Sequence, residues 1–453
     1  MTKPSPAIGI FLLAFMVPAG IFGLSAVVMP ADFGLASVFF YFLGAILFFI
    51  PACYVAARFG MRWPGREGGV YCWISETFGP RWGLWAVWVQ WIQQVIWYPT
   101  ILSYMASTFA FVFFPHDVNS QLFIALFCVI FFVLLTGVAM CGIELSSRVI
   151  ALAFIIGVLL PGLLFIVLVI VWQCSNQPTL LHFSWSGFLP SRHDWHNIAL
   201  FNGVLTGFTG VELCAAYAHR VKRPAFTYTW AIVIATFITL TVFILGTLAV
   251  VAVLPADKTS FTFAIIHAID VTLSHFHLGW LSKWVGLLIV VGSFAIVLVW
   301  ILGPMLSFYS SAKHHQLPKW FSKTSKKGIP INLLILQGVV VSAFSLVFYF
   351  SSTVNDAFWL LSALSAQVYF LLYFVLFLAA LKLQRSLFLW VCVVLGAIGC
   401  LFTVIVPFAP PKELLGDMSI VHYELFIGLG LVLCCAFPWV WSLIYKPHGG
   451  TAQ

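Results

Sequence analysis

All 21 lysines and arginines of this chain lie outside twelve apolar segments, each about twenty residues long or more. That exclusion restricts the possible folds more than any single motif does. A segment of that length without permanent charge crosses a hydrocarbon layer as a helix, because helices and closed barrels alone satisfy every backbone polar group there. The segments run over roughly 8–29, 34–57, 83–113, 121–141, 149–172, 197–217, 228–253, 285–310, 332–350, 355–381, 387–408 and 421–445. The third is long enough to tilt or to run past the bilayer. Charged residues make up 8% of the 453 positions, against about a quarter in soluble domains. The expectation is an all-α membrane protein of twelve transmembrane helices, with 1–453 forming a single transmembrane domain and no soluble domain.

The formal charge of +8 points to topology rather than to nucleic acid. Twelve crossings put both termini on one side, which receives 17 of the 21 basic residues and leaves four for the other. The positive-inside rule makes that side, and both termini, cytoplasmic. The first segment is too long, and too closely followed by a second, for a cleavable signal peptide. The ten cysteines are scattered and only Cys434 and Cys435 are adjacent, which suits packing rather than a disulfide framework or a metal cluster. His193 and His196 lack an obvious third ligand, and no phosphate-binding glycine motif occurs. No metal, cofactor or nucleic-acid partner is expected. The lipid bilayer and a small solute are the partners implied.

Two of the apolar segments are interrupted. Pro18-Ala-Gly-Ile-Phe-Gly23 breaks the first, and Gly207-Phe-Thr-Gly-Val-Glu212 breaks the sixth. Proline and glycine leave backbone groups without helical partners, and such breaks persist at membrane depth where they line a protein cavity. Broken segments at matching places in two halves point to a substrate site. Segments one to five (about 8–172) and six to ten (about 197–381) overlay as two five-helix units, with two further helices over about 387–445. Five is odd, so the units enter the membrane from opposite sides, a 5+5 inverted repeat with broken helices 1 and 6.

Glu212 is the acid placed well inside a segment, at the second break, while the other twelve fall near segment ends or in loops. An intramembrane carboxyl group costs about 2.5–3.5 kcal/mol on insertion scales, so it has a use or a partner. One reading is a proton-coupling residue that loads and releases a proton during transport. The other is a carboxyl group that only holds the bend by hydrogen-bonding unwound backbone. The candidate substrate-binding residues in the breaks are Pro18, Ala19, Gly20 and Gly23 in the first, and Gly207, Phe208 and Gly210 in the second. Half-helix N-termini there suit a carboxylate and opposing carbonyls suit an ammonium, so a zwitterionic amino acid fits both. Alternatively the glycines only permit close helix packing. Trp300 in the eighth segment, and Tyr369 and Tyr373 at i, i+4 in the tenth, form possible aromatic walls that either stack on a ligand or pack the core. Gln93 and Gln94 in the third need partners, either substrate or other helices.

These residues resemble a known family. Pro18–Gly23 and Gly207–Glu212 are similar to the first- and sixth-helix breaks of the amino acid–polyamine–organocation transporters. Pro64-Gly-Arg-Glu-Gly-Gly-Val-Tyr71 and Phe78-Gly-Pro-Arg-Trp-Gly83 resemble their loop between helices two and three. Trp300-Ile-Leu-Gly-Pro304, Lys327-Gly-Ile-Pro330 and Gly416–Leu425 resemble the glutamate/γ-aminobutyrate antiporter branch. The resemblance implies alternating access, exchange of amino acids or of an amino acid for an amine, and a bacterial inner membrane. It maps Glu212 onto the helix-six Glu, Trp300 onto the helix-eight aromatic, and Tyr369 and Tyr373 onto the helix-ten tyrosines. Val27 and Ile296 stand where the glutamate-specific members have a Tyr and an acid, so a less polar or smaller substrate than glutamate is expected. The chain stops at Gln453, so gating by a C-terminal plug is not expected, which leaves His219 as a titratable group at the inner end of segment six.

Three other classes compete. A sodium- or proton-coupled symporter shares the fold, and a sodium site would draw in part on Ser25. A membrane amino-acid sensor would carry long tails for its partners. A polytopic acyl- or glycosyltransferase needs an acid or His cluster at one membrane face, so enzymatic activity is not expected. Oligomeric state leaves no mark in the sequence.

Overall fold

The computed structural model describes residues 10, 14, 23–63, 69–141, 152–153, 155–175, 179–181, 183–212, 224–255, 260–313, 318–325, 329–383, 386–410, 415 and 418–444. Among these the chain is almost wholly helical, without a strand beyond the isolated bridge between Thr324 and Pro330. Ten of its helices are long and apolar enough to cross a membrane. Ten of the expected crossings are matched by these helices, while much of the first segment and the second half of the sixth lie outside the described residues.

In chain order the α-helices are α1 (Ser37–Gly44), α2 (Ile50–Arg62), α3 (Val70–Phe78), α4 (Pro80–Phe113), α5 (Gln121–Cys141), α6 (Leu160–Cys174), α7 (Arg192–His196) and α8 (Phe201–Gly207). They continue as α9 (Pro224–Val253), α10 (Ala264–His275), α11 (Ser282–Lys313), α12 (Ile331–Ser345), α13 (Val347–Phe350), α14 (Val354–Ala380), α15 (Leu387–Ile405) and α16 (Ile420–Ile444). A π-helical turn, Ala45–Phe49, joins α1 to α2. The third crossing starts three residues earlier than its apolar run at position 83, because Pro80 opens the helix, where its missing N–H costs nothing.

Helix α4 carries apolar residues all round beside a few buried polar ones, and it is buried along nearly its whole length, as suits a helix at the centre of a bundle. It packs against α11 and α14, and α14 packs in turn against α15. Helices at the periphery show the opposite pattern. On α5, Leu122, Leu126, Ile130, Val133 and Leu134 stand about half exposed on one face, an apolar surface that hydrocarbon covers in a membrane. Side-chain caps start helices where the chain re-enters the bundle. Thr353 Oγ1 accepts from the Asp356 amide at α14, and Ser386 Oγ accepts from the Leu389 amide at α15.

The first segment departs from a simple helix. Past its break the backbone is extended at Gly23, then forms 3₁₀ turns over Leu24–Val27 and Met29–Ala36. Gly34 has φ +53° and ψ −129°, a conformation a Cβ would strain, and there the chain turns into α1.

Candidate functional site

The second break lies against the segment that follows the first. A Cβ on Gly207, the last residue of α8, would lie 3.8 Å from Ala26 Cβ and 3.4 Å from the Phe243 ring of α9. One turn earlier, Gly203 abuts Met29, where a side chain would fall 2.7 Å from the sulfur. Glycine at both positions lets α8 lie against the 3₁₀ segment. That segment is tied down from its other side. Thr247 Oγ1 on α9 donates to the Val27 carbonyl at 3.0 Å, which leaves Tyr41 Oη on α1 to donate to Thr247 at 2.8 Å.

After Gly207 the helix stops. The Phe208 and Thr209 amides bond back to the Leu205 and Thr206 carbonyls in tight i→i+3 turns. Gly210 then takes φ +97°, open to glycine and costly for other L-residues. Its amide, freed from the helix, donates to the Tyr373 hydroxyl at 2.8 Å. Two residues on, Glu212 is 3% exposed and receives donors on both oxygens. Tyr369 donates to Oε1, Tyr373 donates to Oε2, and Gln90 Nε2 on α4 reaches Oε1 at 3.3 Å. All three partners are uncharged. Tyr373 accepts from the break's backbone and donates to the carboxyl group, so one hydroxyl fixes both.

Tyr369 and Tyr373 are successive turns of one face of α14, with ring centroids 5.0 Å apart. Ser365 extends that face by another turn. It accepts from Gln93 Nε2 at 3.0 Å, and its own hydroxyl donates to the Gln93 carbonyl at 3.2 Å. Gln90 is three and four residues before Gln93 and Gln94, which are four and three before Trp97, so these residues of α4 make up one seam. Trp97 meets Trp300 of α11 with ring centroids 6.2 Å apart, and Trp300 is only half-buried.

Of the candidate residues, Glu212, Gly210, Tyr369 and Tyr373 come together in one hydrogen-bonded cluster. Gly23 and Gly207 stand at the edges of the two breaks, while Pro18, Ala19 and Gly20, like His219, fall outside the described residues. Phe208 is fully buried in an aromatic cluster, stacked on Phe49 at 5.0 Å and near Phe243 and Tyr41. Trp300 pairs with Trp97 rather than with the helix-ten tyrosines. Val27 is buried, close to where a Cβ on Gly246 would lie, and Ile296 is partly buried. His193 Nε2 lies 4.0 Å from Asp32, which also accepts from Asn197 at 3.1 Å, and no group of three possible metal ligands occurs among the described residues. Gln90 and Ser365 were not singled out from the sequence. Their signal was positional, since Gln90 precedes Gln94 and Ser365 precedes Tyr369 by one turn.

Residues 8–432 match the sequence profile of the family described as amino acid permease. An uncharacterised transporter of Legionella pneumophila is 32% identical over 456 residues, covering 98% of each chain. A glutamate/γ-aminobutyrate antiporter of Lactococcus lactis is 24% identical over 91% of this chain and 84% of its own. Among solved structures, MhsT in complex with L-phenylalanine superposes with a TM-score of 0.57 at 14% identity, over 89% of this chain and 98% of that one. The fold, the meeting of the broken segments and the profile match together place this chain in the amino acid permease family of the amino acid–polyamine–organocation superfamily, as a multi-pass membrane transporter.

Proposed function

We propose that the protein is an amino acid antiporter of a bacterial inner membrane, exchanging one amino acid for another or for an amine by alternating access. Both termini face the cytoplasm in this reading, as the 17-to-4 distribution of basic residues favours. One transmembrane domain carries two five-helix repeats and a further pair of helices. The substrate's charged groups sit at the breaks of Pro18–Gly23 and Gly207–Gly210. Trp300, Tyr369 and Tyr373 flank them, and Glu212 is the coupling group.

The observation that carries this reading is the close approach of Gly207 to Ala26, three residues before Gly210 hands its amide to Tyr373 and so to Glu212. Unwound backbone and an ionisable side chain are thereby joined at a single point between helices. A movement of either half-helix must alter the surroundings of the carboxyl group. Exchange is the mode favoured by the Lactococcus relatives, whose names are those of a glutamate/γ-aminobutyrate antiporter and a probable agmatine/putrescine antiporter.

The test is radiolabelled uptake into proteoliposomes preloaded with neutral, acidic and basic amino acids and their amines. Uptake that requires a partner solute inside supports exchange, and the best pair identifies the substrates. Equal uptake into empty vesicles under a proton or sodium gradient would replace the antiporter with a symporter on the same fold.

A further inference from the structure

Several polar side chains inside this bundle hold helices together. On α4 alone, Gln90 bonds Glu212, Trp91 Nε1 donates to Gln337 Oε1 at 2.9 Å, and Gln93 bonds Ser365. Gln94, like Tyr104 and Thr108 further along the helix, makes no such bond. It is 3% exposed, its Oε1 has no partner, and its Nε2 donates to nothing among the described residues. The neighbouring Gln93 Oε1 is also without a partner. Burying an amide with nothing to bond costs about 1–3 kcal/mol by protein mutational data. An amide kept in that state is poised for a group that is not a permanent part of the protein.

Its position indicates which group. Gln94 lies one helical turn from Gln90, and so from the Glu212 cluster, and one turn from Trp97, which pairs with Trp300. It stands between the proposed seat of the substrate's charged ends and an aromatic wall, where a side chain would extend. Away from their ends, α4, α11 and α14 carry no acidic, lysine, arginine or histidine side chain. Nothing there neutralises an acidic substrate side chain. A basic one would have to compete for Glu212, whose two oxygens already accept three hydrogen bonds. An amide offers a donor and an acceptor together, which matches a carboxamide or a hydroxyl.

We propose that Gln94 determines specificity by hydrogen-bonding the side chain of the transported amino acid, and that the preferred substrates have uncharged polar side chains bearing a carboxamide or a hydroxyl. The inference rests on the reading of this region as the substrate site, and goes further in naming the substrate class. A site built to hydrogen-bond a polar group discriminates against analogues lacking it, because its own buried groups are then left unpaired.

Binding, read separately from transport, tests it. Purified full-length protein in detergent is titrated with L-glutamine, L-asparagine, L-serine, L-threonine, L-leucine, L-valine, L-glutamate and L-lysine, and thermal unfolding is followed. The polar uncharged set should stabilise the protein at concentrations about tenfold below those needed for leucine or valine. Gln94→Leu, or Gln94→Met if the first does not fold, should lose that preference by about tenfold while leucine still binds. Strongest stabilisation by a charged or an apolar amino acid, no stabilisation by any of them, or an unchanged preference in the variant would overturn the proposal. Binding does not require exchange. A protein that binds glutamine or serine but takes up label equally into empty vesicles overturns only the antiport reading. One that exchanges amino acids with the Gln94→Leu preference unaltered overturns only this inference.

Discussion

The Gly210 amide and the Tyr373 hydroxyl are 2.8 Å apart, and through that bond the unwound backbone of the sixth segment is tied to the tenth crossing. The hydroxyl accepts from the amide and donates to Glu212, so its hydrogen-bonding direction is set by the backbone. A tyrosine in this role connects the break, the carboxyl group and the central helix pair. Tyr369 and Gln90 complete the arrangement from α14 and α4.

Removing one hydroxyl should therefore cost more than removing its neighbour. Tyr373→Phe leaves both the Gly210 amide and Glu212 Oε2 short of a partner, and each unmade buried bond costs about 1–3 kcal/mol. Tyr369→Phe removes one donor from Oε1, which keeps Gln90. The expected order of loss in initial uptake rate and in melting temperature is Tyr373→Phe, then Tyr369→Phe, then wild type. Equal effects of the two variants would show that the link to Gly210 carries no weight.

Glu212→Gln separates coupling from architecture. The amide keeps one oxygen to accept from Tyr369 and Gln90 but cannot release a proton. Substrate-induced stabilisation should persist, while any dependence of uptake on an imposed pH gradient should vanish. Unchanged pH dependence in the variant would move the coupling role to another group.

Pro438 lies inside α16 and has no N–H for the carbonyl four residues earlier, that of Cys434. The Trp88 indole of α4 donates to that carbonyl at 2.8 Å, and Trp85 donates to the next one, Cys435, at 3.0 Å. Trp88→Phe should destabilise the protein by about 1 kcal/mol, because it orphans a part-buried acceptor. Adding Pro438→Ala restores a helical donor and should recover part of the loss. A thermal double-mutant cycle measures the coupling, and additive effects of the two substitutions would refute the pairing.

Gly157, in the π-helical turn Ile155–Leu159 just before α6, touches the backbone of α11. An added Cβ would sit 2.2 Å from the Leu288 carbonyl oxygen and 2.4 Å from Gly292 Cα, so backbone must move. Gly157→Ala should lower stability by about 1–3 kcal/mol, and Gly137→Ala, with no atom within 4 Å of its added Cβ, should not. The comparison is made by detergent melting of the two variants side by side.

The crossings could be read from the sequence to within a few residues where apolar runs ended in charge or proline, as at Pro80 and Lys313. The 3₁₀ turns after Gly23 could not. Their apolar residues look like any helical run, and the departure depends on Thr247 and on α8 pressing against that segment. Glu212 stood out because an acid among apolar residues is conspicuous. Gln90, its partner, did not, because three glutamines share one stretch of α4 and spacing alone does not say which one turns toward a given helix.

By itself, then, the sequence determined that the chain lives in a bilayer, where most crossings fall and where two of them break. These follow from the cost of unpaired backbone and of charge in hydrocarbon, which is paid residue by residue and so is visible in local composition. Tertiary structure alone decided that Tyr373 serves Gly210, that Gln90 serves Glu212 across 122 residues, and that Trp88 serves Cys434 across 346. Those pairings depend on how helices rotate against one another. Rotation is set by the close packing of many side chains at once, and no local stretch of sequence contains it.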